Sequence, residues 1–242
     1  MDGGHMFEGF TRETSEFLWD LSFHNERPWF QENRDRYLRV LHEPFHALAE
    51  DTAALMQRDY PLAGFSLHVS RIYRDARRLF GRGPYKDHLW FTLKNAGNVH
   101  TEGPMFWFEI DAATFSYGLG FFDVSPSEMA AFRAAIDANP ARFERLAADA
   151  DKMRGFRVTG PLYKRPKKEC SPLIDPWYNR RRVGLECKKN FDPALLGPDL
   201  PKTLSHTYDR LMPLYEFLYT AYLSAQKSET VSRKEEGENE NG

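Results

Sequence analysis

The spacing of apolar residues predicts helices in the first sixty residues of the chain. From Thr11 onward, Phe17 and Leu21 lie on one helical stripe. A second helix is expected near Pro28 and a third near Pro44, because the first turn of a helix does not use the N–H that proline lacks. We therefore expect three helices before the chain changes character.

From residue 65 onward, apolar and polar residues alternate, which is typical of a strand. Phe65, Leu67 and Val69 share one face. The same alternation continued to Tyr73 places Arg71 on that face, toward the core or a cleft. Further short aromatic segments lie at residues 88–94, 105–111 and 114–122. Because the connections between them are short, we expect antiparallel pairing.

The later part of the chain returns to helical spacing. Ser125-Pro126-Ser127-Glu128 predicts a helix start, since it combines a serine N-cap, a proline in the first turn and a glutamate three residues after the serine. Residues 203–225 predict a long final helix.

Helices, then strands, then helices define an α+β fold, with an antiparallel sheet flanked by N-terminal and C-terminal helices. We expect a single domain over residues 1–227. Residues 228–242 are polar and contain few core-forming side chains, so we expect a disordered tail there.

Composition narrows the class of protein. The chain of 242 residues is 41% hydrophobic, and no apolar run approaches the roughly 18 residues of a membrane helix. The N-terminus lacks a basic-then-apolar signal region, so we expect a cytoplasmic protein that does not associate with membranes. Cys170 and Cys187 are the two cysteines, too few for a disulfide framework or a cysteine-rich zinc site.

The net charge of −2 conceals an uneven distribution of charge. Residues 71–94 carry seven Lys/Arg against two Asp/Glu, and residues 152–189 carry twelve against three. The first seventy residues carry six against twelve. Either the basic blocks neutralise acidic helices, or they converge into one basic surface.

The densest chemistry lies between Arg71 and His88. Asp75 is one carboxylate among four neighbouring guanidiniums, those of Arg71, Arg74, Arg77 and Arg78. Unsatisfied guanidinium donors suit a phosphate or carboxylate group, which they bind in fork geometry. We therefore expect a small anionic ligand, bound by Arg71, Arg74, Arg77, Tyr85 and Lys86.

Three alternatives remain open for this region. The protein could be an enzyme acting on a phosphoester or acyl compound, with His88, Tyr85 or Asp75 transferring protons. Adjacent strand residues face opposite sides, so the sequence does not predict a relay between His88 and Asp87.

The second alternative is a nucleic-acid-associated protein that uses both basic blocks, with Trp177 and Tyr178 stacking on bases. It is less favoured, because the total charge is near neutral. The third is a purely structural arginine cluster whose partners are carboxylates of the acidic helices. The sequence is silent on oligomeric state.

His42-Glu43-Pro44-Phe45-His46 matches the H-E-x-x-H pattern of zinc proteases, in which both histidines project from one helix face. Pro44 disfavours a helical Glu43 before it, so His42 is expected to lie outside the helix and the two histidines not to converge. We predict no metal and no cofactor.

A longer pattern supports a family resemblance. The chain resembles the uncharacterised, mainly bacterial family of the domain of unknown function 2461, whose motif is R-x-x-R-D-x-R-F-x-x-[D/N]-K-x-x-Y. Matching positions are Arg71, Arg74, Asp75, Arg77 and Tyr85, whereas Arg78, Gly81 and Arg82 depart from the motif. The family's opening is matched from Gly9 to Leu18 and at Trp29-Phe30. The resemblance covers roughly residues 7–190 and implies an intracellular α+β protein, without an activity.

Overall fold

The computed structural model of the protein describes residues 6–75, 77, 81–97 and 102–239, with the backbone alone for residues 231–239. Arg78, the fourth guanidinium of the predicted cluster, lies outside these residues.

The described residues form eight α-helices. Their bounds are α1 Arg12–Phe23, α2 Arg27–Glu32, α3 Arg34–Tyr37, α4 Glu43–Asp59, α5 Pro126–Ala138, α6 Pro140–Asp151, α7 Asp175–Tyr178 and α8 Leu200–Asn239. A π-helical turn, Leu38–His42, joins α3 to α4, and a 3₁₀ turn, Pro61–Ala63, follows α4. No helix among the described residues is both long and apolar enough to cross a membrane.

Six strands form one sheet in the order β1-β2-β3-β4-β6-β5. Their bounds are β1 Phe65–Val69, β2 His88–Asn95, β3 Pro104–Asp111, β4 Thr114–Phe121, β5 Phe156–Thr159 and β6 Gly184–Asn190. The strand β2 pairs antiparallel with both β1 and β3. This arrangement confirms the predicted α+β class, with an antiparallel sheet and helices toward both ends of the chain.

Two compact units divide the chain. The first takes the segments Met1–Ala96, Phe106–Gly118 and Cys187–Asp209, and the second takes Gly97–Met105, Leu119–Glu186 and Arg210–Gly242. The single domain expected over residues 1–227 stays a prediction.

Aromatic rings fill the core of the first unit. Phe45 of α4 packs against Phe91 and Phe108, with ring centroids 5.9 and 6.1 Å apart. Phe106 stacks on Tyr208 of α8, at 4.7 Å. All five rings are almost completely buried. Phe106 and Phe108 lie two residues apart on β3, so strand alternation places both on the same face.

In the second unit, the core lies between α5, α6 and α8. Phe143 packs against Phe217 at 5.0 Å and against Phe132 at 5.6 Å. The predicted capping box at the start of α5 is present, since Ser125 Oγ accepts from Glu128 N and Glu128 Oε2 accepts from Ser125 N.

The end of α8 differs from the sequence-based expectation. The sequence predicts the final helix over residues 203–225, whereas α8 continues to Asn239. The disordered tail expected over residues 228–242 stays a prediction. Residues 228–239 contain no proline and are rich in glutamate, a good helix former, so polarity alone does not end the helix there. Residues 240–242 lie outside the described part of the chain.

Candidate functional site

The connection between β1 and β2 brings the two ends of the arginine-rich segment together. Tyr73 and Tyr85 form an isolated antiparallel bridge. Beside it, Arg74 N donates to Pro84 O at 2.8 Å and Lys86 N donates to Ile72 O at 2.7 Å. We call the described residues 71–75, 77 and 81–87 the cationic hairpin. The bridge between Tyr73 and Tyr85 forms the base of this hairpin and brings Lys86 close to Arg71 and Arg74, as the sequence predicts.

The turn between α1 and α2 holds this hairpin through a side chain. Asn25 Nδ2 donates to Tyr85 O at 3.0 Å, and Tyr85 N donates to Asn25 Oδ1 at 2.9 Å. A Cβ atom on Gly83 would lie 2.2 Å from Asn25 Oδ1, so glycine is required for this close approach. The Tyr85 ring stacks on Phe30, with centroids 4.0 Å apart.

Arg74 and Arg77 each have a carboxylate partner. The Arg74 side chain is only 12% exposed, and its Nη2 lies 3.2 Å from Asp87 Oδ1. Its Nε donates to Tyr85 O at 2.7 Å. The Arg77 side chain is 88% exposed and pairs with Asp75 at 2.8 Å. Arg74 is therefore part of the hairpin's own structure, whereas Arg77 lies on its surface.

Lys86 and Arg71 differ from Arg74 and Arg77. Within the described part of the chain, neither forms an ion pair with a carboxylate. Lys86 Nζ lies 5.7 Å from the ring centroid of Trp90. Burial, followed by the positive charges of Arg71 and Arg74, lowers the pKa of Lys86. The half-buried ammonium group of Lys86 therefore experiences repulsion from the guanidiniums of Arg71 and Arg74.

Arg71 does not lie in the core, which was one of the two placements expected for it. The strand β1 ends at Val69, so the alternation of faces stops before Arg71, whose side chain is exposed. Exposure leaves its guanidinium accessible to a ligand.

His88 and Asp87 do contact each other, although they are adjacent in sequence. His88 Nδ1 lies 2.9 Å from Asp87 Oδ1, the same oxygen that accepts from Arg74. Asp87 occupies a bend before β2, so the alternation of a strand does not apply to it. Burial alone would raise the pKa of Asp87, but the hydrogen bond from His88 and the charge of Arg74 lower it overall.

A cavity of about 250 Å³ lies beside this pair. Leu18 and Trp19 of α1 form part of its wall, together with Asp87, His88 and Asp111. In the β2–β3 register, His88 is the direct partner of Asp111. The cavity is lined by more carboxylates than cations, so it is distinct in charge from the region around Lys86.

The other two candidates for proton transfer, Tyr85 and Asp75, do not line this cavity. Tyr85 is 3% exposed, and burial, with a smaller effect of Tyr73, raises its pKa. Asp75 accepts from the backbone and side chain of Arg77. Of the three candidates, His88 is the one that lines the cavity.

The two histidines of the H-E-x-x-H segment converge, so the expectation that they would not is wrong. Their ring centroids are 4.4 Å apart. The π-helical turn explains this, because Glu43 N donates to Leu38 O and the backbone stays helical through His42 and Glu43. Pro44 then falls in the first turn of α4. The described residues nevertheless contain no group of three or more His, Cys, Asp or Glu side chains placed to hold a metal ion.

Trp177 and Tyr178 are buried, so the expectation that they stack on bases is wrong. Trp177 packs on Phe143, and Tyr178 OH donates to Asp137 Oδ2. Sequence reasoning also missed Trp90 and Asn25. Asn25 contacts a residue 60 positions away, and no local pattern signals such a contact.

The family comparison agrees with the resemblance found from the motif. A family model described as conserved hypothetical protein (DUF2461) matches residues 13–217. No curated protein matches the chain.

Proposed function

Because the chain belongs to the family described as conserved hypothetical protein (DUF2461), a description that names no activity, we propose its function from geometry. The protein binds a small phosphorylated or carboxylated ligand at Arg71, Arg74 and Lys86. Trp90 forms the apolar wall of this site. A cytoplasmic setting is part of the proposal, supported by cysteines that are both free thiols.

The observation that carries the proposal is the environment of Lys86. Its ammonium group is half-buried over an indole ring and lies close to two guanidiniums. Asp87, the carboxylate nearest in sequence, is already used by Arg74 and His88. Positive charges held together in a partly desolvated place repel each other, and a bound anion removes that repulsion.

The three cations have complementary roles. Arg74 is held in place by Tyr85 O and Asp87, so it offers a preorganised positive charge. Exposed Arg71 supplies a guanidinium fork, which matches two oxygens of a phosphate or carboxylate. Lys86 supplies a compact charge with three donors.

The sequence also predicts Arg77 and Tyr85 as ligand-binding residues, but we assign them no direct contact with the ligand. The Asp75 carboxylate engages Arg77 through two side-chain contacts, and the Tyr85 ring is enclosed by Phe30 and Tyr73. The Tyr85 ring helps to fix the shape of the hairpin, whereas Arg77 lies on its surface.

The proposal is tested by thermal unfolding and calorimetry with inorganic phosphate, phosphorylated metabolites and small carboxylates. A true ligand at a hundred times its dissociation constant stabilises the protein by about 2.7 kcal/mol. Lys86→Gln abolishes this stabilisation. Lys202→Gln, which removes an exposed lysine of α8 that is paired with Asp199, leaves this stabilisation unchanged. Binding that is equally strong in Lys86→Gln would contradict the proposal, as would the absence of any anion that stabilises the wild type.

One observation favours a second candidate function, acid–base catalysis on a bound phosphoester or acyl compound. It is the hydrogen bond that orients His88 through Asp87 at the edge of the cavity. p-Nitrophenyl phosphate and p-nitrophenyl acetate are suitable probes. Turnover is expected to disappear in His88→Gln and to persist in Asp75→Asn, whose carboxylate does not line the cavity. Equal rates in the wild type and His88→Gln would exclude this role.

A further inference from the structure

The second basic block contains a short ribbon that displays an aromatic ring. Leu162 and Arg180 form an antiparallel bridge, Tyr163 N donates to Asn179 O at 3.1 Å, and Arg181 N donates to Pro161 O at 2.8 Å. This ribbon fixes the backbone on both sides of Tyr163, within the second compact unit.

A buried asparagine also fixes the basic loop that follows Tyr163. Asn179 Oδ1 accepts from Lys167 N at 2.7 Å, and its Nδ2 donates to Lys168 O at 2.9 Å and to Asp175 Oδ1 at 2.8 Å. Asn179 is 4% exposed. The loop is therefore held in a defined conformation, unlike a run of lysines that is merely solvated.

Three cations from separate parts of the unit surround the ring of Tyr163. The distances to its centroid are 5.5 Å from Arg133 Cζ, 4.7 Å from Lys167 Nζ and 5.7 Å from Arg181 Cζ. We call these four residues the Tyr163 surface. Arg133 lies on α5, Lys167 in the loop and Arg181 at the end of the ribbon. Their convergence on one ring concentrates positive charge next to an aromatic face.

The three cations of the Tyr163 surface form no ion pair with any carboxylate of the described residues. Lys168, the next residue in the loop, shows the contrast, because its Nζ lies 2.6 Å from Asp137 Oδ1. The same loop thus has one lysine paired with a carboxylate and one exposed lysine that lies against the Tyr163 ring.

Phe122 and Arg182 form another contact between an aromatic ring and an arginine. The Phe122 side chain is 61% exposed, with Arg182 Cζ 6.0 Å from its ring centroid. Arg182 Nη1 donates to Phe122 O at 2.9 Å. Arg180 donates to Pro176 O and Gly160 O. The segment Arg180–Arg182 therefore combines backbone-anchored arginines with an exposed aromatic side chain.

We propose that the Tyr163 surface binds single-stranded nucleic acid, with Arg133, Lys167 and Arg181 contacting phosphates and Tyr163 contacting a base. Aromatic side chains interleaved with cations are the arrangement by which proteins hold single strands without reading sequence. An acidic peptide would use the cations but would leave the half-buried ring of Tyr163 and the exposed ring of Phe122 without a role. This site shares no residue with the site proposed at Lys86, and neither proposal depends on the other.

The test is fluorescence anisotropy with a labelled twelve-nucleotide oligo(dT), titrated at several salt concentrations. Three phosphate contacts predict that log K falls with log[salt] with a slope of about −2, at roughly 0.7 for each phosphate of a single strand. Lys167→Gln reduces that slope by about 0.7. Lys168→Gln, which alters the neutralised neighbour, leaves the slope unchanged. Lys86→Gln also leaves oligonucleotide binding unchanged, which separates this result from the small-anion proposal.

Variants of the ring test the base contact. Tyr163→Phe retains the affinity, whereas Tyr163→Ala lowers it by about tenfold or more, as expected for the loss of one stacked base. The proposal is overturned if oligo(dT) does not bind at low salt, or if Lys167→Gln and Lys168→Gln weaken binding equally. Duplex DNA bound as tightly as the single strand would also overturn it.

Discussion

Replacing Arg74 with glutamine tests how much of the cationic hairpin is structural. The guanidinium makes two contacts, one with Tyr85 O at 2.7 Å and one with Asp87 Oδ1 at 3.2 Å. Glutamine removes the charge and cannot reproduce both contacts. The backbone hydrogen bond from Arg74 N to Pro84 O is retained, so the hairpin keeps its bridge.

The magnitude follows from how buried each partner is. A hydrogen bond to a charged group contributes about 1.5–3 kcal/mol to stability. The pair with Asp87, whose side chain is 55% exposed, adds roughly 0.2–1 kcal/mol, as exposed ion pairs do. Tyr85 O still accepts from Asn25 Nδ2, so no buried carbonyl loses its last partner. Relief of the repulsion with Lys86 offsets part of the loss.

We therefore expect Arg74→Gln to lower the free energy of unfolding by about 2–3 kcal/mol, less than the roughly 3–5 kcal/mol for breaking a fully buried pair. Urea denaturation followed by far-UV circular dichroism measures this loss. Arg77→Gln is the control, because that side chain is 88% exposed, and its effect is expected to stay within about 0.5 kcal/mol. Equal losses in both variants, or a loss below about 1 kcal/mol in Arg74→Gln, would refute the reasoning.

Three more variants test other parts of the structure. Gly83→Ala places a Cβ 2.2 Å from Asn25 Oδ1. We expect this overpacking to lower the free energy of unfolding, measured by urea denaturation, by about 1–3 kcal/mol. An unchanged denaturation midpoint would contradict this expectation. Ser125→Ala removes the N-cap of α5 and should lower the free energy of unfolding by about 1 kcal/mol. Ser125→Thr should largely retain the stability of the wild type, because threonine also serves as an N-cap. Burial and then the charge of His46 lower the pKa of His42 below its ordinary 6.5, so the unfolded state binds more protons there and stability falls as the pH drops below that value. His42→Gln should flatten the stability profile in this range, and an unaltered profile would exclude His42 as its source.

Local signals explain what the sequence predicts well. The start of α5 depends on four consecutive residues, and its capping box forms as expected. The strands β2, β3 and β4 follow from alternation within short segments, and their observed bounds lie close to the predicted ones. Such features need only the chemistry of neighbouring residues.

The site depends on contacts that no local pattern contains. Asn25 and Tyr85 are far apart in sequence, yet their hydrogen bonds fix the base of the cationic hairpin. The hydrogen bond between Asp87 and His88 requires a bend immediately before β2, which alternation does not reveal. Burial of Trp177 reflects packing in the second unit, and composition alone suggests an exposed basic segment there.

The π-helical turn Leu38–His42 has a consequence for the length of the chain. Such a turn is one residue longer than the α-helical path that it replaces, so α3 and α4 resemble a single helix with one inserted residue. Deleting a residue there would restore an uninterrupted α-helix but rotate α3 by about 100° relative to α4. Tyr37 would then leave its place against Phe30, the ring that supports Tyr85. The proposed anion site is thus sensitive to a one-residue change in length in the turn Leu38–His42, which precedes all three of its cations in the chain.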